Sequence, residues 1–285
     1  MQEDPKMPTS PAPATARTLD VPGASLYYEV RGRGPFLVLV GAPMDSASFT
    51  PLADLLADDY TVLTTDPRGI NRSPVDDPGQ DSTPQIRADD LFRLLTHLGA
   101  GPATALGSSG GAVSVLALAQ AHPEQVHTVV AHEPPLIELL PDRAERHAGN
   151  EDVIARWLAG DYVGSWAAFL DNANIQLPEG AFEAMFAGEP DPQAIADTNY
   201  QNTHMLRPTT HWHADVSALR AAATRVVVGI GESSAGQLCD RTSRALAAAL
   251  GTEPTMFPGG HIGFVENPVG FATRLRSVLR EAAAQ

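Results

Sequence analysis

Apolar positions along this chain recur in two rhythms, and the rhythms alternate. Phe36-Leu37-Val38-Leu39-Val40 is a continuous apolar run, as a strand buried on both faces of a parallel sheet requires. Over residues 48–56 the spacing becomes helical, with Phe49, Leu52, Leu55 and Leu56 on one face. Residues 60–65 predict the next strand, which Asp66-Pro67-Arg68-Gly69 breaks. Residues 83–98 read as a helix: Ile86, Leu91, Leu94, Leu95 and Leu98 share a face, and Gly99 and Gly101 stop it. A strand over 102–106, a helix over 112–119 and a strand over 126–131 follow. Later come strands over 226–230 and 255–257. A closing helix over 267–284 turns Val269, Phe271, Leu275, Val278 and Leu279 inward. Upstream, 18–21 and 25–30 predict two short strands joined at Pro22-Gly23.

Eight strands alternating with helices make an α/β protein with a mostly parallel sheet covered on both faces. One segment breaks the alternation. Between Glu133 and Thr224 no strand is expected, only helical pieces over 152–158, 162–171, 180–186 and 192–205, and all three tryptophans lie there. The expected organisation is a core of 18–134 and 215–285 with a helical cap over 135–214. Residues 1–17, rich in Pro, Ala and Thr, are expected to be a disordered leader. Ligands in such sheets bind outside the carboxyl ends of the strands. A cap there would shape an apolar pocket, expected to include Trp157, Trp166, Trp212 and Met44.

Composition narrows the partners. A net charge of −15 disfavours nucleic acid and anionic membranes, and no stretch of about 18 apolar residues suggests a membrane span. Cys239 is the only cysteine, so no intrachain disulfide can form and a cysteine-based zinc site is not expected. That suits a reducing compartment, and a cytoplasmic monomer or homodimer is expected.

Gly107-Ser108-Ser109-Gly110-Gly111 carries the chemistry. It lies between a predicted strand and a predicted helix, the context in which G-x-S-x-G places a serine on a sharp turn. Only Ser109 satisfies the spacing, because Ser108 would need a glycine where Leu106 stands. A serine hydroxyl near neutral pH needs an adjacent base. Of nine histidines, His261 follows the last strand and two glycines, and comes after the serine in the chain. His211-Trp212-His213 offers two ligands but no third at useful spacing, so no metal site is expected. Arg68 is expected to orient loops near the strand ends.

In order and spacing, Gly107–Gly111, Gly41-Ala42-Pro43, the segment from Asp66 to Ser73 and Gly259-Gly260-His261 resemble the α/β-hydrolases, from about residue 18 to 283. The resemblance implies a Ser–His–acid triad, no cofactor, and an oxyanion hole formed by two backbone N–H groups. Gly110 supplies one donor; Ala42 is the best candidate for the other, since Pro43 has no N–H. Relatives usually place the acid in the loop after the cap, where this chain has Ser234 at the expected position and Glu232 nearby. The strand before the cap ends in His132-Glu133-Pro134, and a His-Glu pair there resembles the fungal zearalenone lactonases, whose acid is that glutamate. Glu133 is the first candidate for the acid and Glu232 the second. The activity so implied is hydrolysis of a small ester or lactone through an acyl-enzyme. A cofactor-free perhydrolase or haloperoxidase, a C–C bond hydrolase, or a non-catalytic binding protein on the same scaffold are the alternatives.

Overall fold

The computed structural model describes residues 14–186 and 191–283. Eight strands form one sheet: β1 (Thr15–Val21), β2 (Ala24–Gly32), β3 (Phe36–Val40), β4 (Thr61–Thr65), β5 (Ala103–Ser108), β6 (Val126–His132), β7 (Arg225–Gly231) and β8 (Thr255–Phe257). Their order across the sheet is β1-β2-β4-β3-β5-β6-β7-β8. β1 and β2 run antiparallel to their neighbours, and every pairing from β4 through β8 is parallel. The chain steps from β3 to β4 on one side, then jumps back across β3 to lay down β5 on the other. That reversal opens a crevice between the carboxyl ends of β3 and β5, where ligands bind in open sheets of this kind.

Helices α1 (Ser46–Leu56), α2 (Pro84–His97) and α3 (Gly110–Ala121) join the first four parallel strands, β3 to β6. Between β6 and β7 the described residues form only helices: a short turn at Ile137–Leu139, then α4 (Arg143–Leu158), α5 (Tyr162–Ala173), α6 (Ala181–Met185), α7 (Pro192–Tyr200), a π-turn at Gln201–Met205, α8 (Leu206–Thr210) and α9 (Val216–Ala221). The chain closes with α10 (Leu238–Leu250), α11 (Gly263–Glu266) and α12 (Pro268–Ala283).

Side chains alternate across the sheet, so each strand feeds two cores. Val38 and Val40 join Ala105, Val129, Ala131 and Val228 under α2, α3 and α10. Leu37 and Leu39 join Val62, Leu106, Val130 and Val227 under α1 and α12. Local chemistry sets the helix starts. Thr83 caps α2 by accepting from the Ile86 N–H, with Pro84 at the first helical position, and Asp45 caps α1 through the Ser48 N–H. Arg68 and Asp90, both buried, form a two-pronged ion pair that ties the loop after β4 to α2. The loop-orienting role expected of Arg68 fits this geometry.

Most boundaries fall within one or two residues of expectation. The larger differences lie between β6 and β7. The helix expected over 152–158 extends back to Arg143 as α4, because its first turns are polar and carry no apolar period. The helix expected over 192–205 is α7 followed by the π-turn, and α8 continues past it. The apolar pattern gives no notice of α9, α10 or α11. Residues 1–13 of the expected leader lie outside the described residues, and β1 begins at Thr15, three residues before the expected strand.

Phe271 on α12 is fully buried, stacked on Phe257 with ring centroids 4.7 Å apart and edge-on to Phe264 and His132. Phe271→Ala will lower the unfolding free energy by about 3–5 kcal/mol, as deletion of a buried aromatic ring does. Urea unfolding checks this, and a loss below about 1 kcal/mol would contradict the packing described.

Candidate active site

β5 ends at Ser108 and α3 begins at Gly110, which leaves Ser109 alone in the turn between them. Its backbone sits at φ 56° and ψ −126°, a conformation that costs a non-glycine residue on the order of 1–3 kcal/mol. Two backbone bonds hold it there: the Ser109 N–H donates to the His132 carbonyl at 2.9 Å, and the Ala112 N–H donates to the Ser109 carbonyl at 2.9 Å. A Cβ at Gly107 would run into the backbone of Gly111, and one at Gly111 into the backbone of Val40. Only glycines let β3, β5 and α3 meet this closely.

Ser109 opens onto a cavity of about 350 Å³, within the range of small-molecule sites. Ala42, Met44 and Gly110 line it from the ends of β3 and β5, and His261 from the loop after β8. Trp166, Phe169 and Ile175 line it from the helical segment, as do Met205 and Leu206. Among the described residues, neither the Ala42 N–H nor the Gly110 N–H has an acceptor. Gly110 also stands at the positive end of α3.

Glu133 follows β6 directly, with a left-handed backbone at φ 53° and no exposed surface. Its N–H donates to the Gly229 carbonyl at 3.0 Å, which locks the turn against β7. One carboxylate oxygen accepts from the Gly231 N–H at 2.8 Å, and the other lies 2.6 Å from His261 Nδ1. Thus β6, β7 and the loop after β8 meet at one carboxylate. Burial would raise the Glu133 pKa, but the hydrogen bond and charge of His261, with a smaller effect of His132, hold it down to about 2. Burial would likewise lower the His261 pKa, but the neighbouring Cys239 sulfur and the Glu133 carboxylate lift it to about 10. His132, buried against Phe257 and Phe271, is pushed down to about 4 by burial and bonds Ser108 Oγ through Nδ1 at 3.2 Å.

The structure therefore brings Ser109, His261, Glu133, Ala42 and Gly110 to one rim of the sheet. Glu232 is exposed and bonds to Phe257 only through its backbone. Ser234 is fully buried; among the described residues its hydroxyl makes no hydrogen bond of normal geometry, but it lies close enough to Glu133 to help hold that carboxylate ionised. Met44 and Trp166 line the cavity as expected; Trp157 and Trp212 do not. Trp212 packs into the core under α3. The Trp157 indole donates to Asn199 and its ring lies against Tyr162. Trp157 belongs to the buried face of α4, whereas Trp212 lies in the coil between α8 and α9 and closes over the core.

Nothing in the sequence around Cys239, at the start of α10, marks it as a residue of the cavity. Its sulfur and one donor atom each of Glu133 and His261 lie within 4.8 Å of one another, and it lines the cavity. Asn150, Gln201, Thr209, Thr210 and Gln237 add polar points to the apolar wall and were also missed, because polar residues on surface-like helices carry no period that marks them. Folding sets Glu138 and His147 beside His211-Trp212-His213, neighbours that spacing along the chain does not show.

The alpha/beta hydrolase fold family matches residues 34–212. The chain is 32% identical to YraK of Bacillus subtilis, an uncharacterized hydrolase, over 93% of this chain and 96% of that one. It is 26% identical to a zearalenone hydrolase of Bionectria ochroleuca, over 90% of this chain and 95% of that one. Its fold is shared by a thermophilic esterase from Thermogutta terrifontis, with a TM-score of 0.68 at 21% identity, covering 95% and 99% of the two chains. No helix among the described residues is long and apolar enough to cross a membrane.

A carboxylate whose pKa falls on folding stabilises the fold above its ordinary pKa, and that contribution is lost as pH falls through the folded value. Glu133 drops from 4.5 to about 2, so the unfolding free energy will decline as pH is lowered from about 4.5 toward 2. Glu133→Gln will flatten that part of the profile. Urea unfolding at stepped pH measures both slopes; equal slopes would show that Glu133 is not held ionised by its pairing.

Proposed function

The chain belongs to the alpha/beta hydrolase fold family, and we propose that it is a serine hydrolase that cleaves a carboxylic ester or lactone through an acyl-enzyme. The observation that carries this reading is the 2.6 Å bond between His261 Nδ1 and a fully buried Glu133, on a cavity that Ser109 also lines. In this reading, with Nδ1 engaged by Glu133, the Nε2 lone pair of neutral His261 is free to take a proton. Ser109 Oγ attacks the substrate carbonyl as its proton passes to His261 Nε2, and the C=O π electrons move to oxygen. The Ala42 and Gly110 N–H groups receive that oxyanion; loss of one such donor costs about 3–4 kcal/mol in barrier. Collapse of the intermediate breaks the ester C–O bond, and His261 returns its proton to the leaving alkoxide. Water then attacks the acyl-enzyme with His261 as base, releasing the acid and restoring Ser109. In a lactone the alcohol stays tethered, so the product is one ring-opened hydroxy acid.

The mostly apolar cavity, enclosed by a helical segment acting as a cap, fits a mid-sized substrate with a substantial hydrocarbon part. The name of the Bionectria relative adds weight to a lactone and that of the Thermogutta structure to an ester.

A fluorophosphonate probe will label the wild-type chain and leave Ser109→Ala unlabelled; labelling that survives the substitution refutes Ser109 as nucleophile. Glu133→Gln will lower kcat on nitrophenyl esters and lactones by roughly 10²–10⁴-fold, whereas Glu232→Gln will leave it near the wild-type value. The reverse ranking would move the acid to the loop after β7.

The raised pKa of His261 has a consequence for rate. The base works only when neutral, so the acid limb of kcat/KM lies well above the range of an ordinary imidazole. Cys239 is one of the groups raising it. Cys239→Ser will therefore shift the acid limb to lower pH, read from kcat/KM between pH 6 and about 11; a limb that stays in place excludes this coupling.

A further inference from the structure

A second cluster of ligating side chains lies outside the cavity, at the hinge where the helical segment leaves the core and returns to it. Glu138 stands in the turn after β6, His147 on α4, and His211 and His213 in the return after α8. One donor atom each from Glu138, His147 and His211 lies within 4.8 Å of the others. The carboxylate is at the centre: His147 Nε2 is 2.7 Å and His211 Nδ1 3.6 Å from Oε1, and His213 Nε2 is 3.7 Å from Oε2. We propose that Glu138, His147, His211 and His213 form a binding site for one divalent transition-metal ion of the zinc type.

Three imidazoles and one carboxylate suit zinc, cobalt, nickel or copper rather than magnesium or calcium, which prefer oxygen. Tetrahedral zinc with bonds of about 2.0–2.2 Å sets its donors roughly 3.4 Å apart. The three nitrogen-to-carboxylate separations of 2.7–3.7 Å bracket that value; the His213 donor lies outside the 4.8 Å group that Glu138, His147 and His211 form, so its side chain must swing in to complete the set. The rings of His147 and His211 are stacked, with centroids 3.6 Å apart and planes 10° from parallel, and must splay to aim both lone pairs at one ion. His211 is about half exposed and His213 mostly exposed, so both have room to turn. The sequence spacing serves the same end. Trp212 is buried in the core between them, which leaves the two flanking histidines outside as a pair. Arg143, the other cation near Glu138, is exposed and no closer than 3.9 Å.

The ion would tie the start of the helical segment to its end, beside Thr209 and Thr210, which line the cavity. Glu133, Cys239 and His261 also converge, but there the carboxylate and imidazole are already engaged by a 2.6 Å hydrogen bond that a metal would have to break.

The test is titration of the chelator-stripped full-length protein with Co²⁺ and Zn²⁺. We expect one equivalent of Co²⁺ to bind with visible d–d bands and no sulfur-to-cobalt charge-transfer band, and saturating Zn²⁺ to raise the Tm by about 5 °C. The His211→Ala/His213→Ala double variant will bind more than roughly 100-fold more weakly, beyond the 10–100-fold lost with an outer-sphere partner, and will lose the Tm shift. Cys239→Ser will keep both. Unchanged affinity in the double variant, or a sulfur band that Cys239→Ser removes, overturns the proposal, as does the absence of saturable binding at one equivalent.

Discussion

A carboxylate with no solvent around it must be paired, and the pairing of Glu133 organises the rim of this sheet. An isolated ionised carboxylate in such a place would cost several kcal/mol or neutralise itself. Glu133 avoids this because two other chain segments converge on it. The Gly231 N–H comes from the end of β7, the His261 ring from the loop after β8, and the backbone of Glu133 itself is fastened to Gly229. The left-handed backbone at Glu133 is the local cost of turning that side chain back under the neighbouring strands. Each segment reaches the carboxylate only if the parallel register from β6 to β8 is correct, so the site reports on the sheet as much as the sheet builds the site.

The other half of the rim depends on backbone contact rather than charge. Val40, Gly107 and Gly111 meet with no room for a side chain, which presses β5 and the start of α3 against β3. Ser109 is left in a strained turn at the point where the strand order reverses. Strain there and a buried charge at Glu133 are both unfavourable by themselves. They persist because two fully buried cores, one on each face of the sheet, hold β3, β5, β6 and β7 in place.

The core was legible in the sequence because its signals are local. A five-residue apolar run, a glycine-flanked serine and a helix begun by Thr83-Pro84 each carry their own physical reason, and their order along the chain implies the sheet. Glu133 was marked by the end of a strand together with the resemblance of His132-Glu133 to the zearalenone lactonases. The helical segment was read less well. Its polar first turns, as in α4, have no apolar period, and the π-turn at Gln201–Met205 shifts the phase that a 3.6-residue repeat would follow. Cys239 illustrates the deeper limit. Its sequence neighbours are an ordinary helix start, and its importance comes from His261 and Glu133, which lie 22 and 106 positions away in the chain. The same holds for Glu138 and His147 beside His211. Proximity across a fold leaves no trace in spacing.

Chemistry and cavity are thus held by different means. The rim residues are fixed by strand ends and by buried polar bonds, whereas the far wall belongs to helices fastened to the core by polar points and by buried apolar contacts such as those of Trp212, Tyr200 and Met205. The buried Arg87 guanidinium bonds Ser114 on α3 and Thr209 at the cavity wall, and the Asn71 N–H bonds Asp197 on α7. Tyr200 packs over the backbone of Gly69, where a side chain would strike its ring, and its hydroxyl bonds the Gln80 carbonyl. Points of this kind fix the position of the helical segment without dictating which apolar side chains face the cavity. Changes at Trp166, Phe169 or Ile175 would therefore reshape the space offered to a substrate while the rim stayed as it is, because none of the bonds that hold Ser109, Glu133 and His261 passes through those residues.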